Sequence, residues 1–403
     1  MGPTHSTINQ VLETLKSKQQ YRQLPKIKHQ DQWIVSNNIS LLNISSNDYL
    51  GLANDKRLQF DFLNYLNEMP ESLLPKMGST SSRLLTGNHE QLQLLEDELL
   101  DWYKLGLSEE QRAISQKAVL VVNSGYHANI GVIPALAKLP LTTLILTDTL
   151  IHASLIDGVR LISSKQCTYQ RYRHNDLNHL ASLIQEADDS VARIIIVTES
   201  IFSMDGDRAD LKALVGLKAK DPRIELYVDE AHAVGVLGRN GLGLAEETQT
   251  LEDIDYLVGT FGKAFASMGA YIICNEPIKQ WFINQMRSFI FSTALPPVTH
   301  CWTRFVLAKM PNLITLRSHL AQLSVSVSQA INNDPNIVYQ SPIIPYIVGD
   351  NASAVKKAQD LQQAGFYALP IRPPTVPVNT SRIRLVMNAQ LTTSDCARLI
   401  DQL

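Results

Sequence analysis

The sequence predicts an α/β protein built on an open, largely parallel sheet, with a smaller α+β region at its C-terminal end. Six short apolar runs alternate with stretches of helical periodicity between residues 118 and 274. Such runs are typical of parallel strands that are buried on both faces. The alternation stops after Pro297, and 403 residues are too many for one small core.

The segment before the sheet carries its own signals. Amphipathic spacing predicts a helix over residues 7–24, and a short strand pair follows it. The strand pair is predicted at Trp33–Val35 and Leu41–Ile44, helices at Leu58–Met69 and Glu90–Leu105, and polar loops at Ser45–Gly51 and Pro75–His89. The second loop is long enough to be functional rather than a simple connection.

The strands of the main sheet and the C-terminal elements follow in order. Strands are predicted at Ala118–Val122, Thr143–Leu146, Arg193–Val197, Leu226–Val228, Tyr256–Val258 and Ala270–Cys274. A long helix over His300–Asn332, strands at Ile343–Val348 and Ile383–Val386, and a helix at Ala352–Ala364 complete the chain. Leu105–Gln116 is predicted to be a surface loop. The predicted domain boundaries give an N-terminal segment 1–46, a large domain 47–297 and a C-terminal domain 298–403.

Composition argues against several classes of protein. The 36 basic and 39 acidic residues give a net charge of -3, which predicts neither a nucleic-acid surface nor a membrane surface. The four cysteines lie far apart without a CxxC pair, so we expect no disulfide framework and no metal site. With no long apolar run and a polar N-terminus, we expect a protein of the reducing cytoplasm.

Polar and glycine-rich segments follow the predicted strands at their carboxyl ends, where ligands bind in open α/β sheets. A glycine turn that opens a helix offers backbone N–H groups to a phosphate. A strand-end carboxylate needs a partner such as a protonated heterocyclic nitrogen, and a lysine on a glycine turn can be a nucleophile toward an aldehyde. The residues concerned are Gly125, Tyr126, His152, Asp229, His232 and Lys263.

Each of these residues alone is compatible with an ordinary structural role, such as a helix cap, a turn or a solvated loop cation. Together they supply a phosphate site, a ring to stack on a ligand, a carboxylate, a second imidazole and a lysine. Pyridoxal phosphate (PLP) is a ligand that needs all of these groups. The sequence therefore predicts a PLP site at the carboxyl ends of the strands.

The tetrapeptide Asp229–His232 reads Asp-Glu-Ala-His, which is also the signature of a group of helicases. Those proteins need a phosphate loop of the form GxxxxGK[ST]. The nearest candidate, Gly259–Lys263, has a different spacing and is followed by alanine rather than a hydroxyl residue. The helicase interpretation is therefore rejected.

Several motifs, taken together, resemble those of the α-oxoamine synthases, which are fold type I PLP-dependent enzymes. The motifs are Ser46–Leu52, Ser124–Asn129, His152–Leu155, Glu199–Asp207, Asp229–His232, Thr260–Lys263, Ser292–Pro297 and Ile371–Pro377. The resemblance extends from about residue 20 to the end of the chain. It implies a large domain with a mainly parallel seven-stranded sheet and a smaller C-terminal α+β domain.

The resemblance also implies roles at the cofactor. Lys263 would form the Schiff base and later act as the base, Asp229 would hold the ring nitrogen protonated, and His232 would bond the phenolic oxygen. The remaining cofactor contacts implied are a stacking ring at His152, contacts at Gly125 and Tyr126, help at the oxygen and phosphate from Ser203 and Thr260, and a phosphate contact to the neighbouring subunit from Thr293.

Substrate contacts and reaction follow from the same resemblance. Arg372 would bind the amino-acid carboxylate, and Arg22, Asn47 and Thr375 would contact substrate. The members most similar to this chain act in biotin synthesis, which implies decarboxylative condensation of L-alanine with a pimeloyl thioester. Coenzyme A or an acyl carrier protein would carry the acyl group, and the active sites would be shared within a homodimer. Two alternatives stay open: a sibling enzyme with another amino acid or acyl thioester, such as glycine with acetyl thioester or an autoinducer-type synthase, and a PLP-binding scaffold without turnover.

Overall fold

The computed structural model describes residues 3–403, which divide into two units. The smaller unit comprises residues 3–54, Met204–Gly206 and His319–Leu403, and the larger unit comprises Asp55–Ser203 and Asp207–Ser318. The predicted three-segment division stays a prediction, and its first two residues lie outside the described chain. The two ends of the chain share a unit because Phe366 and Tyr367 pair with the N-terminal strand that contains Leu42.

The described chain contains strands and helices that are numbered here in chain order. The strands are β1 (Lys28–Gln30), β2 (Trp33–Ser36), β3 (Ile39–Asn43), β4 (Lys117–Val122), β5 (Thr143–Asp148), β6 (Cys167–Tyr172), β7 (Arg193–Glu199), β8 (Ile224–Asp229), β9 (Tyr256–Thr260), β10 (Ala270–Asn275), β11 (Ile343–Gly349), β12 (Phe366–Tyr367), β13 (Pro370–Ile371) and β14 (Ser381–Val386). The helices are α1 (Pro3–Ser17), α2 (Lys56–Asn67), α3 (Glu90–Leu105), α4 (Glu109–Ile114), α5 (Gly125–Ala137), α6 (Ala153–Arg160), α7 (Leu177–Gln185), α8 (Leu211–Lys218), α9 (Leu244–Glu247), α10 (Glu276–Gln285), α11 (Arg287–Ile290), α12 (Pro297–Leu307), α13 (Ile314–Asn332), α14 (Asn351–Gln363) and α15 (Thr393–Ile400).

A seven-stranded sheet forms the centre of the larger unit, in the order β4-β10-β9-β8-β7-β5-β6. Strands β9, β8, β7, β5 and β6 pair in parallel, and β10 pairs antiparallel with both β9 and β4. The residues of β5, β7 and β9 are buried throughout, as expected for strands covered on both faces. The predicted α/β class and mainly parallel seven-stranded sheet are confirmed.

Strand β6 is the sheet member that the apolar pattern does not reveal. It lies at one edge, and the side chains of residues 168–171 are exposed to solvent. An edge strand with exposed side chains needs no apolar run, so hydrophobic periodicity cannot identify it. The count of seven strands came from the family resemblance and not from the pattern of apolar residues.

Strand β4 forms the opposite edge, and two charged side chains cover part of it. Glu96 Oε1 accepts a hydrogen bond from the Val121 amide at 2.8 Å, and Arg83 Nη1 donates to the Val121 carbonyl oxygen at 2.8 Å. Arg83 and Glu96 are themselves joined by a 2.7 Å ion pair, with about a tenth of each side chain exposed. Side chains therefore satisfy backbone groups that a further strand would otherwise pair.

Three predictions of local structure are wrong. The helix predicted over residues 7–24 lies earlier in the chain, because α1 spans Pro3–Ser17. The single helix predicted over His300–Asn332 is divided into α12 and α13 by a short turn at Met310–Asn312. Pro311 lies in that turn, and proline has no N–H to continue a helix. The loop predicted at Leu105–Gln116 contains α4, because Ser108 and Gln111 form a reciprocal cap at its start.

The smaller unit has a four-stranded sheet, β1-β2-β3-β12, and a three-stranded sheet, β11-β14-β13. An ion pair also belongs to this unit: the buried Arg382 lies 2.6 Å from the partly exposed Asp205 in the segment Met204–Gly206. Within residues 3–403, no helix combines the length and the apolar character that a membrane span needs.

Candidate active site

A cavity of about 180 Å3 lies in the larger unit at the carboxyl ends of β7, β8 and β9. These strands are parallel neighbours, so their last residues, Glu199, Asp229 and Thr260, meet at one edge of the sheet. The residues that line the cavity are Gly125, Tyr126, Asn129, His152, Ser154, Glu199, Asp229, Ala231, His232, Thr260 and Lys263.

The N-terminus of α5 forms one wall of the cavity. Ser124 is extended at this position, and its hydroxyl accepts a hydrogen bond from the His127 amide at 3.2 Å. The amides of Gly125 and Tyr126 belong to the first turn, which has no intrahelical carbonyl partners for them. Together with the helix dipole, they form a site suited to an anion such as phosphate.

Asp229 presents a buried carboxylate at the end of β8. Asn129 Nδ2 donates to its Oδ2 at 2.8 Å, and the Ala231 amide donates to its Oδ1 at 2.9 Å. Asp229 is only 5% exposed, and the two hydrogen bonds hold its carboxylate in place. A carboxylate held in this way is suited to a cationic partner such as a protonated ring nitrogen.

His152 caps the N-terminus of α6 with its own ring. The Ser154 amide donates to Nδ1 at 3.2 Å, and the Ser154 hydroxyl lies 2.7 Å from the same nitrogen. Burial lowers the pKa of His152, and the charge of Asp229 opposes that shift only in part. The imidazole is therefore neutral near pH 7, with its proton on Nε2 because Nδ1 accepts.

Glu199 lines the same cavity and was not predicted as a site residue. It is fully buried, and its Oε1 accepts a hydrogen bond from the His152 amide. Burial and the nearby charge of Asp229 raise the pKa of Glu199 well above its ordinary value. Its position at a strand end was visible in the sequence, but only the fold shows that it faces His152.

Lys263 and Thr260 complete the cavity beyond β9. The Thr260 hydroxyl donates to the Gly269 carbonyl oxygen at 3.1 Å and accepts from the Gly262 amide at 3.3 Å. These bonds shape the glycine turn that delivers Lys263 to the cavity. Lys263 thus lies in the same cavity as His152 and His232. The predicted site residues, which follow four separate strands in the sequence, come together there.

Two of the residues predicted to contact the cofactor, Ser203 and Thr293, are not among those that line this cavity. Ser203 is buried at the end of the segment that follows β7. The carbonyl oxygen of Thr293 accepts a hydrogen bond at 2.7 Å from Nδ2 of Asn123, which lies two residues before the start of α5. Their predicted contacts to the cofactor stay predictions.

The four predicted substrate residues belong to the smaller unit, where three of them cluster. Arg22 Nη2 donates to Thr375 Oγ1 at 3.0 Å, and Arg372 donates to the Gln19 carbonyl oxygen. Burial and the charge of Arg22 lower the pKa of Arg372. Two neighbouring guanidinium groups of this kind favour a bound anion such as a carboxylate.

Asn47, the fourth predicted substrate residue, holds a different partner. Its Oδ1 accepts hydrogen bonds from Arg384 Nη1 at 3.0 Å and from the Tyr49 hydroxyl at 3.3 Å. In this structure the Asn47 carbonyl therefore orients Arg384. Its predicted substrate contact stays a prediction.

The residues present fit PLP by the chemistry of their donor set. The α5 N-terminus suits a phosphate, the doubly bonded Asp229 carboxylate suits a protonated ring nitrogen, and Lys263 suits an aldehyde. The neutral ring of His152 faces the same space. Asn129, Ser154 and Ala231 are the further lining residues that the sequence interpretation omitted, although each of them lies inside one of the motifs.

Comparison with known proteins agrees with this geometry. Residues 39–403 match the family model described as aminotransferase class I and II. The 8-amino-7-oxononanoate synthase of Haemophilus ducreyi is 51% identical over 385 residues, covering 94% of this chain and 95% of that protein.

Solved structures extend the comparison to the fold. A Sphingomonas wittichii serine palmitoyltransferase has a TM-score of 0.83 at 26% identity, covering 98% of this chain and 95% of its own. An 8-amino-7-oxononanoate synthase from Francisella tularensis has a TM-score of 0.69 at 23% identity, covering 90% of this chain and 96% of its own. The fold is shared across nearly the whole described chain.

Proposed function

This chain belongs to the class I and II aminotransferase family and, within it, to the 8-amino-7-oxononanoate synthases, and from that premise we propose that it condenses L-alanine with a pimeloyl thioester. The products are 8-amino-7-oxononanoate, CO2 and the free thiol, and the reaction serves biotin biosynthesis. The single observation that carries the proposal is the cavity that joins Lys263, Asp229, His152 and His232 to a helix N-terminus.

The enzyme is a PLP-dependent acyltransferase. Lys263 would hold the aldehyde carbon of the cofactor, Asp229 would hold the ring nitrogen, and His232 would bond the phenolic oxygen. The face of His152 would stack on the ring, and the first amides of α5 would hold the phosphate. Ser203 and Thr260 would assist at the phenolic oxygen and the phosphate.

The cofactor, when bound, supplies a protonated ring that accepts the electron pair released at the α-carbon of the amino acid. Asp229 keeps the proton on the ring nitrogen, since an ionised carboxylate favours the cationic form. The Lys263 amine would take the Cα proton of alanine and later return a proton to the same carbon. The neutral state of His152 avoids a second positive charge beside the ring.

The bonds of the overall reaction balance without a further reactant. A C–C bond forms between Cα of alanine and the acyl carbonyl carbon, and the C–S bond of the thioester breaks. The carboxyl group then leaves as CO2, and a proton takes its place on Cα. We assign the alanine carboxylate to Arg372, with Arg22 and Thr375 as neighbouring contacts, because these side chains form one cationic cluster.

We further propose a homodimer in the cytoplasm, with Thr293 contacting the phosphate bound by the other subunit. The free state of Cys167, Cys274, Cys301 and Cys396 supports the reducing compartment. Light scattering of the purified protein should give twice the mass of the 45.0 kDa chain. A monomer that is fully active would contradict the shared-site model.

Covalent labelling tests the cofactor assignment. The purified protein should be yellow, and borohydride should fix PLP to the peptide that contains Lys263. Lys263→Ala should lose this label, whereas Lys279→Ala, which removes a lysine paired with Glu96, should keep it. A colourless protein that stays unlabelled would overturn the proposal.

Carbon dioxide release tests the substrates. Alanine, glycine and serine are each combined with pimeloyl, acetyl and longer acyl thioesters on coenzyme A or on an acyl carrier protein. We expect the fastest release with alanine and a pimeloyl thioester. Preference for glycine would assign the chain to a sibling activity, and a labelled protein that releases no CO2 with any pair would identify a scaffold without turnover.

A further inference from the structure

Asn129 occupies a central position behind the candidate active site. It lies in the second turn of α5 and is 1% exposed. Its Nδ2 donates to Asp229 Oδ2 and to Ser154 Oγ, both at 2.8 Å. Its Oδ1 accepts a hydrogen bond from the Tyr227 hydroxyl. One amide therefore uses both N–H groups and its oxygen inside the core.

The surroundings determine which way this amide faces. An ionised carboxylate only accepts hydrogen bonds, so a flipped amide would set its oxygen against Asp229 Oδ2. Burial raises the pKa of Tyr227 well above its ordinary value, and the Asp229 charge adds to the shift. The Tyr227 hydroxyl thus remains protonated and donates to the amide oxygen, which leaves both N–H groups for Asp229 and Ser154.

The orientation of Asn129 is passed on to His152. Because Ser154 Oγ accepts from Asn129, its own proton is free to point at His152 Nδ1, 2.7 Å away. The Ser154 amide donates to the same nitrogen at 3.2 Å. Two donors on Nδ1 favour the neutral ring that carries its proton on Nε2.

Close packing of two helices makes this linkage possible. A Cβ atom at Gly158 of α6 would lie 2.6 Å from the Asn129 carbonyl oxygen of α5. Any side chain at Gly158 would therefore push the helices apart. Glycine at this position lets α6 approach α5, so that the short Asn129 amide reaches Ser154.

We propose that Asn129 is a positioning residue that couples the Asp229 carboxylate to the His152 imidazole, so that one amide sets the hydrogen bonding of both groups that face the cofactor ring. The inference rests on the proposed function for the identity of that ring. The coupling itself concerns only side chains of this chain.

The test uses the full-length protein with its cofactor and compares Asn129→Leu, Ser154→Ala and Tyr227→Phe. The titration of His152 is followed by 15N signals of its ring, assigned with His152→Asn. Ser154→Ala removes the hydroxyl donor at Nδ1, and Asn129→Leu frees the Ser154 oxygen to accept a proton from Nδ1. Both changes favour the imidazolium, so the His152 midpoint should rise by roughly one pH unit in each variant. The charged or titratable groups around the ring, Asp229, Lys263, Asp157 and Glu199, are unchanged in every variant.

The turnover number, kcat, tests the hydrogen bond between Asn129 and Asp229. A hydrogen bond to a charged group predicts that kcat falls about ten- to hundredfold in Asn129→Leu, with little change in KM for the amino acid. Ser154→Ala keeps the Asn129–Asp229 hydrogen bond, so its kcat should fall less than that of Asn129→Leu. Tyr227→Phe removes a bond to the same amide but leaves both Nδ2 donors in place, so it controls for the general cost of disturbing the core.

Two results would overturn the proposal: a folded Asn129→Leu protein with the wild-type His152 midpoint, or Tyr227→Phe losing as much turnover as Asn129→Leu. If Asn129→Leu does not fold, Ser154→Ala decides, since it removes the hydroxyl that links Asn129 to His152 without adding a charge: an unchanged His152 midpoint in Ser154→Ala would then overturn the proposal. A protein that binds no PLP would defeat the proposed function instead. The His152 midpoints could still be compared in that protein.

Discussion

His152 and His174 follow neighbouring strands of the same sheet, yet their surroundings hold them in opposite states. His152 comes after β5, and both Ser154 donors address its Nδ1. His174 comes after β6, with Nδ1 3.0 Å from Asp148 and Nε2 2.8 Å from Asp207. Burial alone would lower the pKa of His174, but the hydrogen bonds and charges of the two aspartates raise it to about 10.

The difference shows that the hydrogen-bond partners of an imidazole determine its role more than the position of the histidine in the sheet does. Two carboxylates occupy both nitrogens of His174, and Phe202 packs at 4.4 Å against the ring. His174 therefore ties the end of β5 to the turn after β7. His152 keeps a free face toward the cavity and is neutral, as a residue that stacks on a ligand should be.

The largest expected effect tests the reactive side of this comparison. Asp229→Ala removes the carboxylate beside His152 and should lower kcat/KM by about 10²–10³-fold, because the charge that stabilises the ring nitrogen is lost. Initial rates with alanine and a pimeloyl thioester measure the loss, and circular dichroism checks the fold. Activity within tenfold of wild type would show that Asp229 does not hold the ring nitrogen.

An intermediate effect tests the structural side. His174→Gln breaks the charged bridge between Asp148 and Asp207, and the free energy of unfolding should fall by about 1–3 kcal/mol. The partly exposed position of His174 keeps the loss below that of a fully buried pair. Urea unfolding measures it, with the exposed His29→Gln as the matched control. An unchanged midpoint in His174→Gln would refute the structural role.

The smallest expected effect is a dependence on pH. The pKa of His174 is raised in the folded protein, so its contribution to stability is complete below its unfolded pKa of about 6.5 and is lost as the pH rises through about 10. The difference in urea midpoint between wild type and His174→Gln should therefore shrink between these values. A constant difference up to pH 10.5 would mean that His174 is neutral at pH 7.

The sequence located the cavity but not the contacts that organise it. Glycine turns, a strand-end carboxylate and a lysine all follow apolar runs, so Gly125, Asp229 and Lys263 could be assigned to one edge. Asn129 lies 100 residues from Asp229 and 25 residues from Ser154, and its bond to Ser154 depends on how closely α5 and α6 pack. No local pattern encodes that approach.

The same limit applies to His174. Its place after β6 could not be recognised, because an edge strand with exposed side chains has no apolar run. One of its aspartates, Asp148, is the last residue of β5, and the other, Asp207, follows β7, so the two lie on either side of β6 in the chain. Only the parallel pairing of these strands brings them together.

The Arg83–Glu96 pair at the edge of β4 has a consequence outside the reaction. Open strand edges recruit strands from other molecules and so begin aggregation. At Val121 both backbone groups are already bonded to charged side chains, so an incoming strand meets no free partner there and would have to expel a salt bridge. The pair thus helps to keep concentrated protein from associating through this edge.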